Sequence, residues 1–214
     1  ASAVAVLVCL LLLVRTVDRN PTWMSTYTVL NTLAQEHPES YRSIRSRAMG
    51  LVRVGESEEA GELYDLAAAL APGNYSLLVE AGDFYGRRRS WGKAESLLRR
   101  ALMANPRSPE GYRVLASQLI LQGRGRDGHR LALEGLARSG SDRVLWSLVS
   151  ESYIAKGDLP AAIRARHAAL GADPESSEDW MRLGDLLEAT GDTAGAAHAR
   201  ALSEEGGRME ELSR

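Results

Sequence analysis

Hydrophobic and polar positions fall into two regimes along the chain. Residues 3 to 14 read AVAVLVCLLLLV, with no charge before Arg15, whereas from about residue 40 onward apolar positions recur at helical spacing and are punctuated by glycine and proline. The second regime predicts a succession of amphipathic helices. Composition agrees, because Ala, Leu, Arg and Glu are abundant and there is one Phe among 214 residues. Those common residues lose little side-chain freedom in a helix, while strand formers are scarce.

The punctuation is periodic. Glycines stand at Gly55, Gly123, Gly157 and Gly191, separated by 34 residues or a multiple of it, with Arg89 in the vacant slot. Prolines follow the same period at Pro38, Pro72, Pro106 and Pro174, with Gly140 completing the series. Small residues keep register at Ala60, Ala94, Gly128, Ala162 and Ala196, and again at Ala67, Ala101, Gly135, Ala169 and Ser203. A glycine after a helical run predicts a left-handed C-cap, and a proline removes the preceding residue from helical geometry. The two small series predict a second helix lying close against the first. In the first helix a large residue at Ile44, Leu78, Tyr112, Trp146 and Trp180 is followed four positions later by a small one, at Ala48, Gly82, Ala116, Ser150 and Gly184. The third repeat is the most degenerate, with Gly123, Gly125, Gly128 and Gly135 in its second half. At about 1 kcal/mol per interior glycine relative to alanine, it should be the softest hairpin.

This pattern resembles the tetratricopeptide repeat family. The fullest matches are Gly82, Tyr85, Ala94, Ala101 and Pro106 in one repeat, and Trp180, Leu183, Gly184 and Ala196 in another. The resemblance implies an all-α, right-handed superhelical solenoid of helical hairpins over residues 39–208. Its five repeats are 39–72, 73–106, 107–140, 141–174 and 175–208, with a tail at 209–214. It also implies a protein or peptide partner held on the groove lined by first helices.

The apolar run predicts a transmembrane helix over residues 1–16. As a helix, fourteen uncharged residues cover roughly 21 Å, short of the ~30 Å hydrocarbon core, so the reading is a span truncated at its N-terminus. Arg15 and Arg19 would border it, and Trp23 and Tyr27 are either interfacial aromatics or packing residues of the next helix. A basic n-region and a small-x-small cleavage site are both absent, which argues against a signal peptide. Residues 17–38 are in phase with the second helix of a repeat and would form a half-repeat cap. The junction carried by Arg19, Asn20, Pro21, Trp23, His37, Pro38, Glu39 and Ser40 resembles that of transmembrane O-mannosyltransferase-like proteins. That likeness implies extracytoplasmic repeats, with any catalytic residues in upstream membrane loops, whereas Arg15 and Arg19 favour the cytoplasmic side.

Charge changes the picture only locally. Residues 86–130 hold eleven Arg and Lys against three acids, and residues 173–214 hold eleven acids against four arginines. Arg87, Arg88, Arg89, Arg99 and Arg100 form a candidate basic patch, to be weighed against solvated helix faces and inter-repeat ion pairs. The expected groove is lined by Arg42, Arg45, Met49, Val79, Asp83, Arg113, Ser117, Glu151, Met181 and Asp185, and its arginines suit an acidic segment. No nucleic acid is expected, since aromatic interleaving and recognition motifs are lacking. Cys9 is the only cysteine, His37, His129, His167 and His198 are dispersed, and no P-loop, GxSxG or HExxH occurs. Neither cofactor, metal nor catalytic constellation is expected.

These observations leave three readings. One is the repeat domain of a polytopic glycosyltransferase-like membrane protein. A second is a single-span accessory or assembly subunit of a larger membrane complex, and a third is a cytoplasmic adaptor.

Overall fold

A computed structural model describes residues 37–212, with side chains through Gly206. The expected membrane helix, nearly all of the capping half-repeat and the last two residues lie outside the described residues. Among the described residues there are ten helices and no strand. They are α1 (Tyr41–Val54), α2 (Ser57–Leu70), α3 (Tyr75–Arg87), α4 (Trp91–Ala104), α5 (Pro109–Leu121), α6 (Gly125–Ser139), α7 (Arg143–Ile154), α8 (Leu159–Ala172), α9 (Ser177–Ala189) and α10 (Thr193–Leu212). Two compact units are present, one ending at Leu77 and one beginning at Leu78, so the boundary falls in the first turn of α3. Within the units, helices pack as consecutive hairpins: α1 with α2, α5 with α6, α7 with α8, and α9 with α10. In the α3–α4 hairpin, Leu98 of α4 closes over Gly82 of α3, where an added Cβ would lie 2.6 Å from Leu98 Cγ.

The turn inside each hairpin has one geometry. Gly55, Gly123, Gly157 and Gly191 have φ between 76° and 88°, and Arg89 has φ 58°, so arginine takes the left-handed conformation that glycine takes elsewhere. At all five positions the N–H of the left-handed residue and that of the next residue donate back to carbonyls of the last turn. In the second hairpin Arg89 donates to Gly86 at 2.9 Å and Ser90 to Tyr85 at 2.9 Å. This paired closure satisfies carbonyls that a helix end leaves without partners.

First helices begin on a capping series that also keeps the period: Ser40, Asn74, Ser108, Asp142 and Ser176. Ser40 Oγ accepts from Ser43 N, Asn74 Oδ1 from Leu77 N, Asp142 Oδ1 from Leu145 N and Ser176 Oγ from Asp179 N, at 3.0 to 3.3 Å. Ser108 makes no such bond and is followed by Pro109, whose ring already fixes first-turn geometry. Three caps are also held by the preceding hairpin. Asn74 Nδ2 donates to Tyr41 Oη at 3.2 Å, Arg113 pairs with Asp142, and Arg143 Nη1 donates to Ser176 Oγ at 3.3 Å.

The small-residue slots are where helices touch. Ala60, Ala67, Ala94, Ala101, Ala162 and Ala169 are fully buried. At Gly128 a Cβ would lie 2.7 Å from Ile120 Cγ1 and 2.8 Å from the Ala116 carbonyl, and at Gly135 it would lie 2.8 Å from Tyr112 Cβ. Helix α6 is unbroken across both glycines. Gly128 and Gly135 answer to close packing, a factor that helix propensity alone leaves out.

Candidate functional site

In the second unit, α3 and α5 enclose a cleft of about 240 Å³. Gly86 creates it. Positions one or more periods away carry Val52, Ile120, Ile154 and Glu188, but at Gly86 a side chain would overlap the Gln118 amide, which lies across the backbone there. Gln118 is buried and its Nε2 donates to the Gly82 carbonyl at 3.1 Å. Asp83, Arg87, Arg113, Ser117 and Leu121 complete the walls. Leu121 is 75 % exposed, a large apolar side chain in contact with water at the rim.

Both guanidiniums at the cleft are held by carboxylates. Arg87 Nε donates to Asp83 Oδ2 at 2.8 Å, and Arg113 Nε donates to both Asp142 oxygens at 3.0 Å. A fixed guanidinium presents its remaining N–H donors in a planar fork, suited to carboxylate or carbonyl oxygens. The cleft can therefore grip an apolar side chain and orient backbone or acidic groups beside it.

Of the other groove candidates, Arg42, Arg45 and Met49 belong to the first unit, where Arg42 lies over the Tyr41 ring with Nε donating to Tyr41 Oη at 3.1 Å. Val79, expected on the groove, is buried at 3 % exposure and is a core residue. Met181 is exposed. Glu151 accepts from Arg166 Nη2 at 2.9 Å, and Asp185 shares Arg200 with Glu188. Asp83, Arg113 and Ser117 are brought together at one cleft, joined by Arg87 of the basic stretch.

That stretch is laced with acids. Arg99 donates to Glu95 at 2.6 Å, Arg124 to Glu95 at 2.8 Å and to Asp127 at 3.1 Å, and Arg88 lies 5.6 Å above the Phe84 ring. Arg100 is half-buried with a partner of its own. Glu95 shows the balance of forces. Burial pushes its carboxyl upward, but hydrogen bonds from Arg124 and Arg99 outweigh that and hold it below the usual range.

Among the described residues, no group of three or more His, Cys, Asp or Glu is placed to hold a metal ion. No described helix is long and apolar enough to cross a membrane. His129 stands edge-on to Tyr153 with centroids 5.1 Å apart, its pKa lowered by burial and then by Lys156.

Sequence reasoning missed Gln118 and the pair Arg166–Asp179. The signal for the pair was available. Asp179 lies in the slot of Ser43, Leu77, Gly111 and Leu145, and Arg166 in that of Tyr64, Leu98 and Ala132, all of them buried.

Solved structures of other proteins share this fold. MamA from Desulfovibrio magneticus RS-1, residues 41 to the end, superposes with TM-score 0.65 at 18% identity, over 79% of this chain and 96% of that one. YrrB, described as a TPR protein with an unusual peptide-binding site, gives 0.58 at 17% identity over 83% and 91%. The Pseudomonas aeruginosa protein pilF gives 0.68 at 14% identity over 80% and 78%. The fold is that of tetratricopeptide proteins. No family model matches the chain. In sequence, the chain is 28% identical over 163 residues to protein NPGR1 of Arabidopsis thaliana, a stretch covering 74% of this chain and 22% of that protein. The chain thus spans about a fifth of the curated relative it matches.

Proposed function

We propose that this tetratricopeptide chain is a protein-interaction scaffold that holds an extended segment of a partner on its first-helix face, centred on the α3–α5 cleft. The observation that carries this reading is the conjunction of exposed Leu121 with the carboxylate-paired guanidiniums of Arg87 and Arg113 around the α3–α5 cleft. YrrB, of like fold, is described as having a peptide-binding site. The chemistry favours a segment with an apolar side chain beside an acidic one.

The wider setting we propose is the membrane. The uncharged run before Arg15 and the Arg19–Trp23 junction support a repeat region attached to a polytopic, glycosyltransferase-like protein, and the likeness of that junction favours repeats on the extracytoplasmic side. An anchored accessory subunit of a larger membrane complex accounts for the same run.

Site-specific photo-crosslinking in cells tests the docking reading. A crosslinker at Ser117 should capture a discrete partner, and Leu121→Asp or Arg87→Glu should reduce that capture at least several-fold. Equal capture from Arg126, exposed on α6, or capture unaffected by both substitutions, would remove the cleft as the binding site.

A further inference from the structure

The contact between α8 and α9 differs in its chemistry from the α6–α7 contact one period earlier, where Ala132 and Leu145 hold the same slots. Asp179 of α9 and Arg166 of α8 have side-chain exposures of 1 % and 3 % and form a direct ion pair through Arg166 Nη1 and Asp179 Oδ1. The carboxylate collects three more donors: Ser147 Oγ at 2.8 Å on Oδ1, with Arg143 Nη1 at 2.8 Å and Ser176 Oγ at 2.9 Å on Oδ2. Arg166 Nη2 reaches Glu151 on α7 at 2.9 Å, and Arg143 also pairs with Asp173 at 3.3 Å. Helices α7, α8 and α9 and the turn before α9 all contribute.

Stability does not explain such a cluster. An apolar pair of similar volume is often as stable as a buried ion pair or more so, because desolvating two charges offsets their attraction. The preceding repeat uses an apolar solution at the same slots, with Ala132 and Leu145. Its weakness is that it has no direction. Hairpins built on one template present similar apolar faces, and apolar contact alone discriminates less sharply among first helices, within one chain or between two copies.

We infer that Arg166 and Asp179 form an electrostatic key that fixes α9 as the one first helix able to dock on α8. The combinations bear this out. A first helix bringing Ser43, Leu77, Gly111 or Leu145 to that slot would leave Arg166 buried without its carboxylate, and α9 docked on α2, α4 or α6 would bury Asp179 against Tyr64, Leu98 or Ala132. Arg200, one period beyond Arg166, is the remaining competitor. It is engaged by Asp185 and Glu188 of its own hairpin. A single polar pair that selects register among apolar alternatives is a known device in helical assemblies. The inference is independent of what the cleft binds.

The test uses the full chain labelled with fluorotryptophan, because Trp180 sits next to Asp179 on α9. Wild type should give one Trp180 resonance and a monomer. Arg166→Leu/Asp179→Leu should resist urea at least as well as wild type, yet show a second Trp180 resonance or a swapped dimer. The uncharged pair Arg166→Met/Asp179→Asn repeats the test if the leucine pair does not fold. A single resonance and a monomer in a folded double variant would overturn the key. So would the failure of both doubles to fold, since the pair would then be needed for stability itself.

Discussion

At the junction of α6 with α7 the chain closes over a glycine, and 34 residues later, at the junction of α8 with α9, it closes over charge. In the first case Tyr112 and Leu145 fill the space so fully that a Cβ on Gly135 would lie 2.8 Å from the ring carbon Cγ and 2.9 Å from Leu145 Cδ1. In the second, Ala169 replaces Gly135 and Asp179 replaces Leu145, while Arg166 stands where Ala132 stood. The period fixes where a side chain must be buried. The neighbours at that junction fix what kind it can be.

The largest effect should come from leaving Arg166 without its partner. Asp179→Ala strips the carboxylate from two arginines and should cost about 3–5 kcal/mol in urea unfolding, the range for breaking a buried pair by removing one member. A loss below about 1 kcal/mol, the scale of an exposed pair, would mean that water reaches the site. A smaller effect, of opposite sign, belongs to a turn. Arg89 holds φ 58° in the slot that glycine fills in the other hairpins, and Arg89→Gly should raise the stability of the second unit by up to about 1 kcal/mol. The gain stays below the full left-handed strain because glycine loses more freedom on folding.

Much of the fold was legible in the sequence because turn chemistry is local. A left-handed C-cap needs no knowledge of distant contacts, and Gly55, Gly123, Gly157 and Gly191 adopt it as the spacing implied. The cap series Ser40, Asn74, Ser108, Asp142 and Ser176 is equally local and keeps the same period. Long-range chemistry was harder. Asp179 counted as one more acid in a negative C-terminal stretch, because a charge is ordinarily a surface residue, and only alignment with Leu145 and Leu77 shows that its slot is interior. Val79 looked like a groove residue from helical phase, yet it is buried at 3 %. At the cleft, Asp83, Arg113 and Ser117 followed from phase along the first helices, whereas Gln118 and Gly86 matter through an overlap that no spacing reveals.

Glycine provides the most direct test of the claim that the junction, rather than intrinsic propensity, decides each residue's contribution. Propensity alone makes Gly→Ala favourable by about 1 kcal/mol at any interior helical position. Gly50 in α1 is exposed with nothing within 4 Å of an added Cβ, so Gly50→Ala should stabilise by about 0.5–1 kcal/mol. Gly135→Ala should instead destabilise by about 1–3 kcal/mol, as Tyr112 and Leu145 are forced apart. Urea unfolding of the two variants beside wild type reads both signs, and opposite signs are the predicted result. A stabilising Gly135→Ala would contradict the account.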